Sequence, residues 1–236
     1  MRLQGFNLLP PVVKNLLIIN GLMFLITLVL KNLGIDLDEH LALYYFKSEF
    51  FRPWQIISHM FMHGSFSHLF FNMFAIWMFG NTLENHWGSK RFLVFYMFTG
   101  LGSAILYTAV QHLEIIQITS SLNPELVQRV FDLDLSGISI KYQPLLDIAH
   151  IPALGASGAL FGILMAYGMT YPNAKILIYL LFPVKVKYLV LVYGLVELFS
   201  GISGYNPGVA HFAHLGGMLF GFLLIKYWRK TNNYFY

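Results

Sequence analysis

The sequence has no cysteine among its 236 residues. Without a thiol the protein can form no disulfide, use no thiolate nucleophile and bind no metal through sulfur. Charge is also scarce, because only 11% of the residues are Asp, Glu, Lys or Arg, whereas a soluble domain carries about 25%. This shortage excludes both an ordinary water-soluble globule and a disordered chain.

Runs of like charge are missing as well, and the net charge is only +4. No cluster of lysines and arginines marks a nucleic-acid-binding surface, and no glycine-rich phosphate loop precedes a predicted helix. The histidines lack a matching set of carboxylates, so we expect no bound metal and no cofactor. Apolar residues make up 57% of the chain and aromatic residues 17%, which indicates an integral membrane protein embedded in a lipid bilayer.

Six apolar stretches are candidates for membrane helices, since about 20 helical residues cross a hydrocarbon layer of about 30 Å. They lie at residues 12–30, 65–83, 92–110, 157–171, 184–200 and 209–228. The fourth stops before Pro172, which cannot continue a helix. The pattern predicts an all-α integral membrane protein, in which residues 1–236 form one bundle of six transmembrane helices with both termini on the same side.

Basic residues are unevenly divided between the two sides of this bundle. If the termini lie inside, only Glu84 among the acidic residues is in an inner segment, and Glu197 falls within the fifth span. The bias matches the positive-inside rule, so both termini are predicted to be cytoplasmic. The inner segments hold ten of the 15 basic residues, namely Arg2, Lys14, Lys90, Arg91, Lys175, Lys185, Lys187, Lys226, Arg229 and Lys230.

We expect no cleavable targeting segment at the start of this sequence. The first apolar stretch lacks a cleavage-site pattern and is expected to be retained. The short chain and the lack of a transit segment favour the inner membrane of a bacterium.

The two longest outer segments differ in character. Residues 32–64 are rich in aromatic residues, as suits a first loop lying in the headgroup region. Residues 111–156 are more polar and are predicted to form an extended outer loop before the fourth helix.

Gly155-Ala156-Ser157-Gly158 begins the fourth span. The stretch 157–171 gives only about 22 Å of helix, so its outer end should lie below the membrane surface. Irregular backbone at that depth is tolerated only where protein covers it or where it lines a water-filled cavity. Ser157 is therefore expected at a helix N-terminus in a wet pocket, although a serine cap packed among small residues would give the same pattern.

The sixth span carries the sequence Ala-His-Leu-Gly-Gly at 213–217. Gly217 and Gly221 form one stripe of small residues, and Gly158 and Gly162 of the fourth span form another. Such stripes allow two helices to approach closely. We therefore expect the fourth and sixth helices to pack side by side.

Contact between the two stripes would bring His214 next to Ser157. His211, one turn earlier, is a competing candidate but would lie nearer to water. Phe161 lies four residues after Ser157 on the same helical face, and it could stack on the His214 ring. A membrane histidine can also be a simple hydrogen-bonded packing residue.

His68 and Asn72 are four residues apart on one face of the second span. Polar side chains are poor bilayer residues but good hydrogen-bond donors to a developing oxyanion. A helix–helix hydrogen bond or a contact with the outer loop would explain the pair equally well. His59 and His63 precede them and are expected to be supporting or interfacial residues only.

Together these residues supply a nucleophile, a base and oxyanion donors near the outer ends of three helices. A serine needs a neighbouring base because its own pKa keeps it protonated. No carboxylate is expected to orient that base, since Glu197 would lie at best near the outer half of the fifth span. The simplest scheme is a dyad in which His214 takes the Ser157 proton and later gives it to the leaving amine.

Four motifs together resemble the rhomboid family of intramembrane serine proteases. They are His-x-x-x-Asn at 68–72, Gly-x-x-x-Glu-x-x-x-Gly-x-x-Arg at 80–91, Gly-Ala-Ser-Gly at 155–158 and Ala-His-x-x-Gly-x-x-x-Gly at 213–221. They occur in the family's order and cover most of residues 53–221. One departure is that Trp54 is followed by Gln55, where some relatives have Trp-Arg.

The resemblance implies a six-helix bundle that cleaves transmembrane segments of membrane proteins near their outer end. Ser157 would be the nucleophile and His214 the base. The oxyanion hole would comprise His68, Asn72 and the Ser157 N–H. The supporting residues would be Phe161, Gly155, Gly158 and Gly217. The partner would be a transmembrane protein substrate, while the oligomeric state is left open.

Two other functions are weighed against proteolysis. A catalytically inactive relative could bind membrane-protein clients as an adaptor, but such a protein would be expected to lose Ser157 or His214. A small transporter could use Glu197, His59 and His63 as a proton path. The transporter is disfavoured because the polar residues cluster on one side of the bilayer instead of crossing it.

Overall fold

A computed structural model describes residues 6–120, 122–132, 142–178, 181–203 and 210–231. Two positions used in the predictions, Arg2 and Val209, lie outside the described residues, as do residue 121 and residues 133–141 of the predicted outer loop. The described chain is mostly helical.

The α-helices are α1 (Pro11–Asn32), α2 (Asp38–Leu41), α3 (Gln55–Ser58), α4 (Phe66–Ala75), α5 (Asn81–Trp87), α6 (Ser89–Thr119), α7 (Pro124–Phe131), α8 (Gln143–His150), α9 (Ser157–Thr170), α10 (Val186–Ser203) and α11 (His211–Thr231). A 3₁₀ turn covers His59–Phe61, and a π-helical segment, Ile76–Gly80, joins α4 to α5. The second predicted span is thus one helical run whose middle is wider than an α-helix.

One part of the all-α prediction is wrong, because the fourth and fifth spans are joined by an antiparallel hairpin. Strand β1 (Lys175–Ile178) pairs with β2 (Phe182–Lys185), with Lys175 opposite Lys185. Pro183 lies in β2 and would break a helix interior, whereas a two-stranded ribbon tolerates it at an edge. The fifth helix therefore begins at Val186 and not at 184.

Helix α6 also differs from its prediction, since it continues nine residues past 110 to Thr119. No Gly or Pro interrupts the sequence there, so nothing stops the helix where the apolar stretch ends. Gln111 is buried in this extension, and its amide donates to the Ile148 carbonyl at 2.6 Å. By contrast, α9 begins at Ser157 and ends one residue before the predicted end.

Among the described residues, three helices are long and apolar enough to cross a membrane, namely α1, α6 and α10. Helix α9 is apolar but shorter, with 14 residues. The chain is a mostly helical, multi-pass membrane protein.

The centre of the fold is a close contact of α9 with α11, and both also pack on α6. A Cβ atom on Gly217 would overlap the carbonyl oxygen of Gly158, and one on Gly221 would lie 3.0 Å from the Gly162 carbonyl oxygen. On its other side, Gly158 leaves room for the Ser103 side chain of α6. The two glycine stripes thus bring the backbones of α9 and α11 together and put their N-terminal ends side by side.

The first outer segment supports the irregular backbone that precedes α9. Leu43 and Ala153 exchange backbone hydrogen bonds of 2.8 and 2.9 Å, and the Gly155 N–H donates to the His59 carbonyl at 2.9 Å. Gln55, the residue after Trp54, is fully buried and donates to the Phe50 carbonyl at 2.9 Å. The uncharged side-chain amide of Gln55 therefore connects two parts of this loop by a hydrogen bond.

The second outer segment folds, in its described part, into the end of α6 and the helices α7 and α8. His150 connects it to the first segment, because its Nε2 contacts the Val130 carbonyl at 2.8 Å and its Nδ1 contacts Ser48 Oγ at 3.2 Å. A small apolar cluster lies between the two segments, formed by Tyr45, Ile115, Val130, Phe131, Tyr142 and Leu145.

At the opposite end of the molecule, Glu84 attaches α1 to the rest of the bundle. Its carboxylate is buried and accepts the N–H groups of Val12 and Val13 at 2.9 and 2.8 Å and the Ser89 hydroxyl at 2.6 Å. A negative charge at a helix N-terminus is favourable because it satisfies free N–H groups and faces the positive end of the helix dipole.

Candidate active site

The Ser157 hydroxyl and the His214 imidazole meet near the N-terminal ends of α9 and α11. Ser157 is the first residue of α9, and the Nε2 atom of His214 lies 2.8 Å from its Oγ. Both side chains are half-buried. A neutral imidazole with its proton on Nδ1 can accept a hydroxyl proton at Nε2, so this contact has the geometry of a nucleophile and its base.

Phe161 holds the His214 ring from one side. The two rings are stacked, with centroids 4.2 Å apart and planes 6° from parallel. Because Phe161 lies one turn after Ser157 on α9, the helix that carries the serine also fixes the plane of the imidazole.

A third group at this site, Glu197, corrects the expectation that no carboxylate reaches the base. Glu197 Oε2 lies 3.1 Å from His214 Nδ1 and 2.6 Å from His211 Nδ1. The shorter contact is a hydrogen bond, while the longer one is within ion-pair distance but lacks hydrogen-bond alignment. The available signal in the sequence was an isolated acid in an apolar span, which requires a polar partner.

His68 lies against the backbone that leads into Ser157. Gly155 has φ of +125°, and a Cβ atom there would lie 2.8 Å from the His68 ring and 3.6 Å from Ser157 Oγ. A side chain at this position would therefore be strained and would displace the imidazole. His68 is also close enough to His214 for the two rings to interact electrostatically.

Asn72 is buried one turn further along α4, where its amide donates to His63 Nε2 at 3.0 Å. The His63 ring also meets the His68 ring nearly edge-on, with centroids 5.0 Å apart. His63 thus supports both candidate oxyanion donors directly. Sequence reasoning treated it as a supporting residue at most and did not identify this contact.

The two loop histidines are uncharged at neutral pH. Burial lowers the pKa of His59 to about 4 and that of His63 to about 3, and the nearby His68 adds to the second effect. Glu197 contacts His211 and His214 and not these loop histidines. These contacts therefore do not connect Glu197, His59 and His63 into the proton path that a transporter would need.

The arrangement can support nucleophilic chemistry by the chain's own side chains. It brings together a hydroxyl, an imidazole, a carboxylate and polar groups beside a helix N-terminus. In the described part of the chain, no group of three or more His, Asp or Glu side chains is arranged to hold a metal ion.

Comparison with known proteins finds the family model "Rhomboid domain" over residues 51–231. "Rhomboid protein 1, mitochondrial" of Saccharomyces cerevisiae is 30% identical over 184 residues, which is 75% of this chain and 42% of that protein. "RHOMBOID-like protein 5" of Arabidopsis thaliana is 28% identical over 171 residues, or 72% of this chain and 42% of that protein. "Rhomboid protease GlpG" of Yersinia pestis is 25% identical over 155 residues, or 57% of this chain and 55% of that protein.

These matches cover only about half of the relatives' own lengths, from 42% to 55%. The family match nevertheless extends over most of this chain. It includes Ser157, Glu197 and His214, as well as His68 and Asn72. The chain belongs to the rhomboid family.

Proposed function

We propose that this protein is an intramembrane serine endopeptidase that cleaves transmembrane segments of membrane proteins near their outer end. The observation that carries the proposal is the 2.8 Å contact between Ser157 Oγ and His214 Nε2. Family membership supports it, since one relative is named a rhomboid protease.

In the first half-reaction, Ser157 Oγ attacks the scissile carbonyl carbon while His214 Nε2 takes the hydroxyl proton. The protonated imidazole then gives this proton to the leaving amine, which departs and leaves an acyl-enzyme. In the second half-reaction, His214 takes a proton from water, the resulting nucleophile attacks the acyl carbon, and the proton returns to Ser157. Neither side chain is fully buried, which is compatible with entry of that water.

The oxyanion of the tetrahedral intermediate would be stabilised by donors beside Ser157. We assign this role to His68, Asn72 and the Ser157 N–H, with Gly155 leaving the space that His68 occupies. The burial of Asn72 and its bond to His63 support the assignment, because a donor that is already oriented needs no rearrangement during the reaction.

The substrate would be a transmembrane helix that can unwind near its outer end. A helical carbonyl is hydrogen-bonded within its own helix and is shielded by side chains, so the segment must open before Ser157 can reach the scissile bond. Glycine and proline make opening easier, because they have the lowest helix propensities. We therefore expect such residues around the cleavage site.

We further infer a six-span topology with both termini in the cytoplasm of a bacterium. The distribution of basic residues supports the orientation, and the similarity to a Yersinia pestis protein supports the inner membrane. The higher identity to a relative named as mitochondrial counts against this membrane, so fractionation of the source cells is the deciding measurement.

A fluorophosphonate probe tests the proposed chemistry directly, because it labels only an activated serine. We expect mass spectrometry to find the adduct on Ser157 in detergent-solubilised protein. Labelling should disappear in Ser157→Ala, fall at least about a hundredfold in His214→Ala, and remain unchanged in Ser120→Ala, which alters an exposed serine. Equal labelling without His214 would reject the dyad. Absence of labelling together with binding of a transmembrane peptide would indicate an inactive adaptor.

A further inference from the structure

We propose that Glu197 is the positioning residue for His214, the base. Ser157, His214 and Glu197 then form a triad, in which a hydrogen bond from His211 orients the Glu197 carboxylate. The proposal rests on the function proposed above and adds a third member to its dyad. It concerns a residue for which sequence reasoning predicted no such role.

The first argument is the placement of Glu197 on α10. Its neighbours Val196 and Leu198 are exposed, with relative accessibilities of 52% and 39%, whereas the Glu197 side chain is only 12% exposed. It is the only acidic residue of α10. An acid in an apolar helix is costly unless it is paired, and this one turns away from the outer face of its helix toward two imidazoles of α11.

The second argument is the sharing of one carboxylate oxygen by two histidines. Oε2 accepts a hydrogen bond from His211 Nδ1 at 2.6 Å and lies 3.1 Å from His214 Nδ1. The bond to His211 limits rotation of the carboxylate. A small shift of either side chain would align the His214 contact, and such contacts commonly tighten when substrate binds.

The third argument is the protonation that the reaction requires. His214 Nε2 faces the Ser157 hydroxyl and must be unprotonated to accept its proton, so the ring proton must lie on Nδ1. A carboxylate can only accept a hydrogen bond, and Glu197 therefore favours the Nδ1–H tautomer. The same negative charge stabilises the imidazolium that forms when the proton moves. The titratable groups around this ring in the described chain are Glu197, His211 and His68, in addition to Ser157.

Two substitutions separate this role from a structural one. Glu197→Gln keeps the shape and an oxygen acceptor but removes the charge, whereas Glu197→Asp keeps the charge on a shorter side chain. If Glu197 positions His214, Glu197→Gln should lower kcat at least tenfold with KM changed less than twofold. Glu197→Asp should retain more activity than Glu197→Gln. A purely structural contact predicts the opposite order. Glu125→Gln, at an exposed site on α7, is the matched control and should leave kcat unchanged.

The tautomer of His214 provides a readout that needs no turnover. In protein with ¹⁵N-labelled histidine, we expect His214 to carry its proton on Nδ1 in the wild type and to populate both tautomers in Glu197→Gln. An unchanged tautomer and a kcat within twofold of wild type would overturn the role of Glu197. Failure of the proposed function is distinct, because the wild type itself would then show neither cleavage nor labelling of Ser157.

Discussion

Four histidines surround the candidate site, and each ring differs in the group that it contacts. The imidazole that faces a hydroxyl is the one placed to act as a base, whereas the others contact a carboxylate, an amide or a backbone segment. The contacts are His214 to Ser157, His211 to Glu197, His63 to Asn72 and His68 to Gly155. Histidines in equally apolar sequence can thus have separate functions, which are determined by tertiary contacts.

Asn72 provides a test of the oxyanion hole at the scale of one side chain. We expect Asn72→Ala to lower kcat about 100- to 1000-fold with little change in KM, because a donor to the oxyanion acts in the transition state and not in substrate binding. Steady-state cleavage of a reporter substrate measures both constants. Asn32→Ala, at the exposed end of α1, is the matched control. A raised KM with unchanged kcat would show that Asn72 contributes only to binding.

Some residues of the site could be placed from the sequence, whereas others could not. Ser157 and His214 were predicted to meet because each adjoins a glycine stripe, and helical spacing also predicted that Phe161 would lie on the imidazole. Glu197 was not predicted to reach His214, because the placement of α10 against α11 depends on the whole fold and is not encoded in the local sequence of either helix. His63 was undervalued for the same reason, since its loop turns back toward α4.

The pairing of α9 with α11 is the element-scale feature on which the site depends. Their backbones touch at Gly158 and Gly217, so the two functional side chains are held at one level by the helices and not by a loop. Helix starts, glycine stripes and the proline after α9 are local signals, and they predicted α9 to within one residue. The β1–β2 hairpin and the extension of α6 were not predicted. Aliphatic runs do not separate strand from helix, and a helix can continue past its apolar stretch where no breaker ends it.

Substitution of Gly217 tests this pairing. We expect Gly217→Ala to lower the free energy of unfolding by about 1–3 kcal/mol, because the added methyl group overlaps the Gly158 carbonyl oxygen and must force the helices apart. Fluorophosphonate labelling of Ser157 should fall in parallel. Gly21→Ala in α1 is the control, since a Cβ atom there meets nothing within 4 Å. It should leave labelling unchanged and should raise the free energy of unfolding by up to about 1 kcal/mol, because alanine has a higher helix propensity than glycine. Equal effects of the two substitutions would contradict the packing argument.

At the scale of the whole molecule, buried neutral histidines should make folding sensitive to acid. The pKa values of His59 and His63 are about 4 and about 3 in the folded protein, below the value of about 6.5 for an unfolded chain. The unfolded state therefore binds more protons as pH falls below about 6.5. Stability should decrease by roughly 1.4 kcal/mol per pH unit for each histidine until the folded pKa is reached.

Thermal unfolding in detergent between pH 7 and 4 measures this dependence. His59→Gln should have a flatter profile than the wild type, whereas His40→Gln, which alters an exposed histidine, should not. A melting temperature that stays constant over this range would contradict the burial of the two neutral rings.

The absence of cysteine allows a clean test of the proposed topology. Single cysteines can be introduced as Leu8→Cys, Glu125→Cys and Lys230→Cys, all at exposed positions. With cytoplasmic termini and six crossings, a membrane-impermeant maleimide added to intact spheroplasts should label only the Glu125→Cys protein. The other two should react after permeabilisation. Labelling of either terminal position from outside would reject the orientation.

Reconstituted cleavage tests most directly whether Ser157 is the nucleophile of an intramembrane protease. Purified protein and a reporter transmembrane substrate are combined in liposomes, and the product ends are mapped by mass spectrometry. We predict one cut within the outer part of the transmembrane segment, with a rate that falls at least about a thousandfold in Ser157→Ala. Cleavage by that variant at the wild-type rate and position would contradict the account.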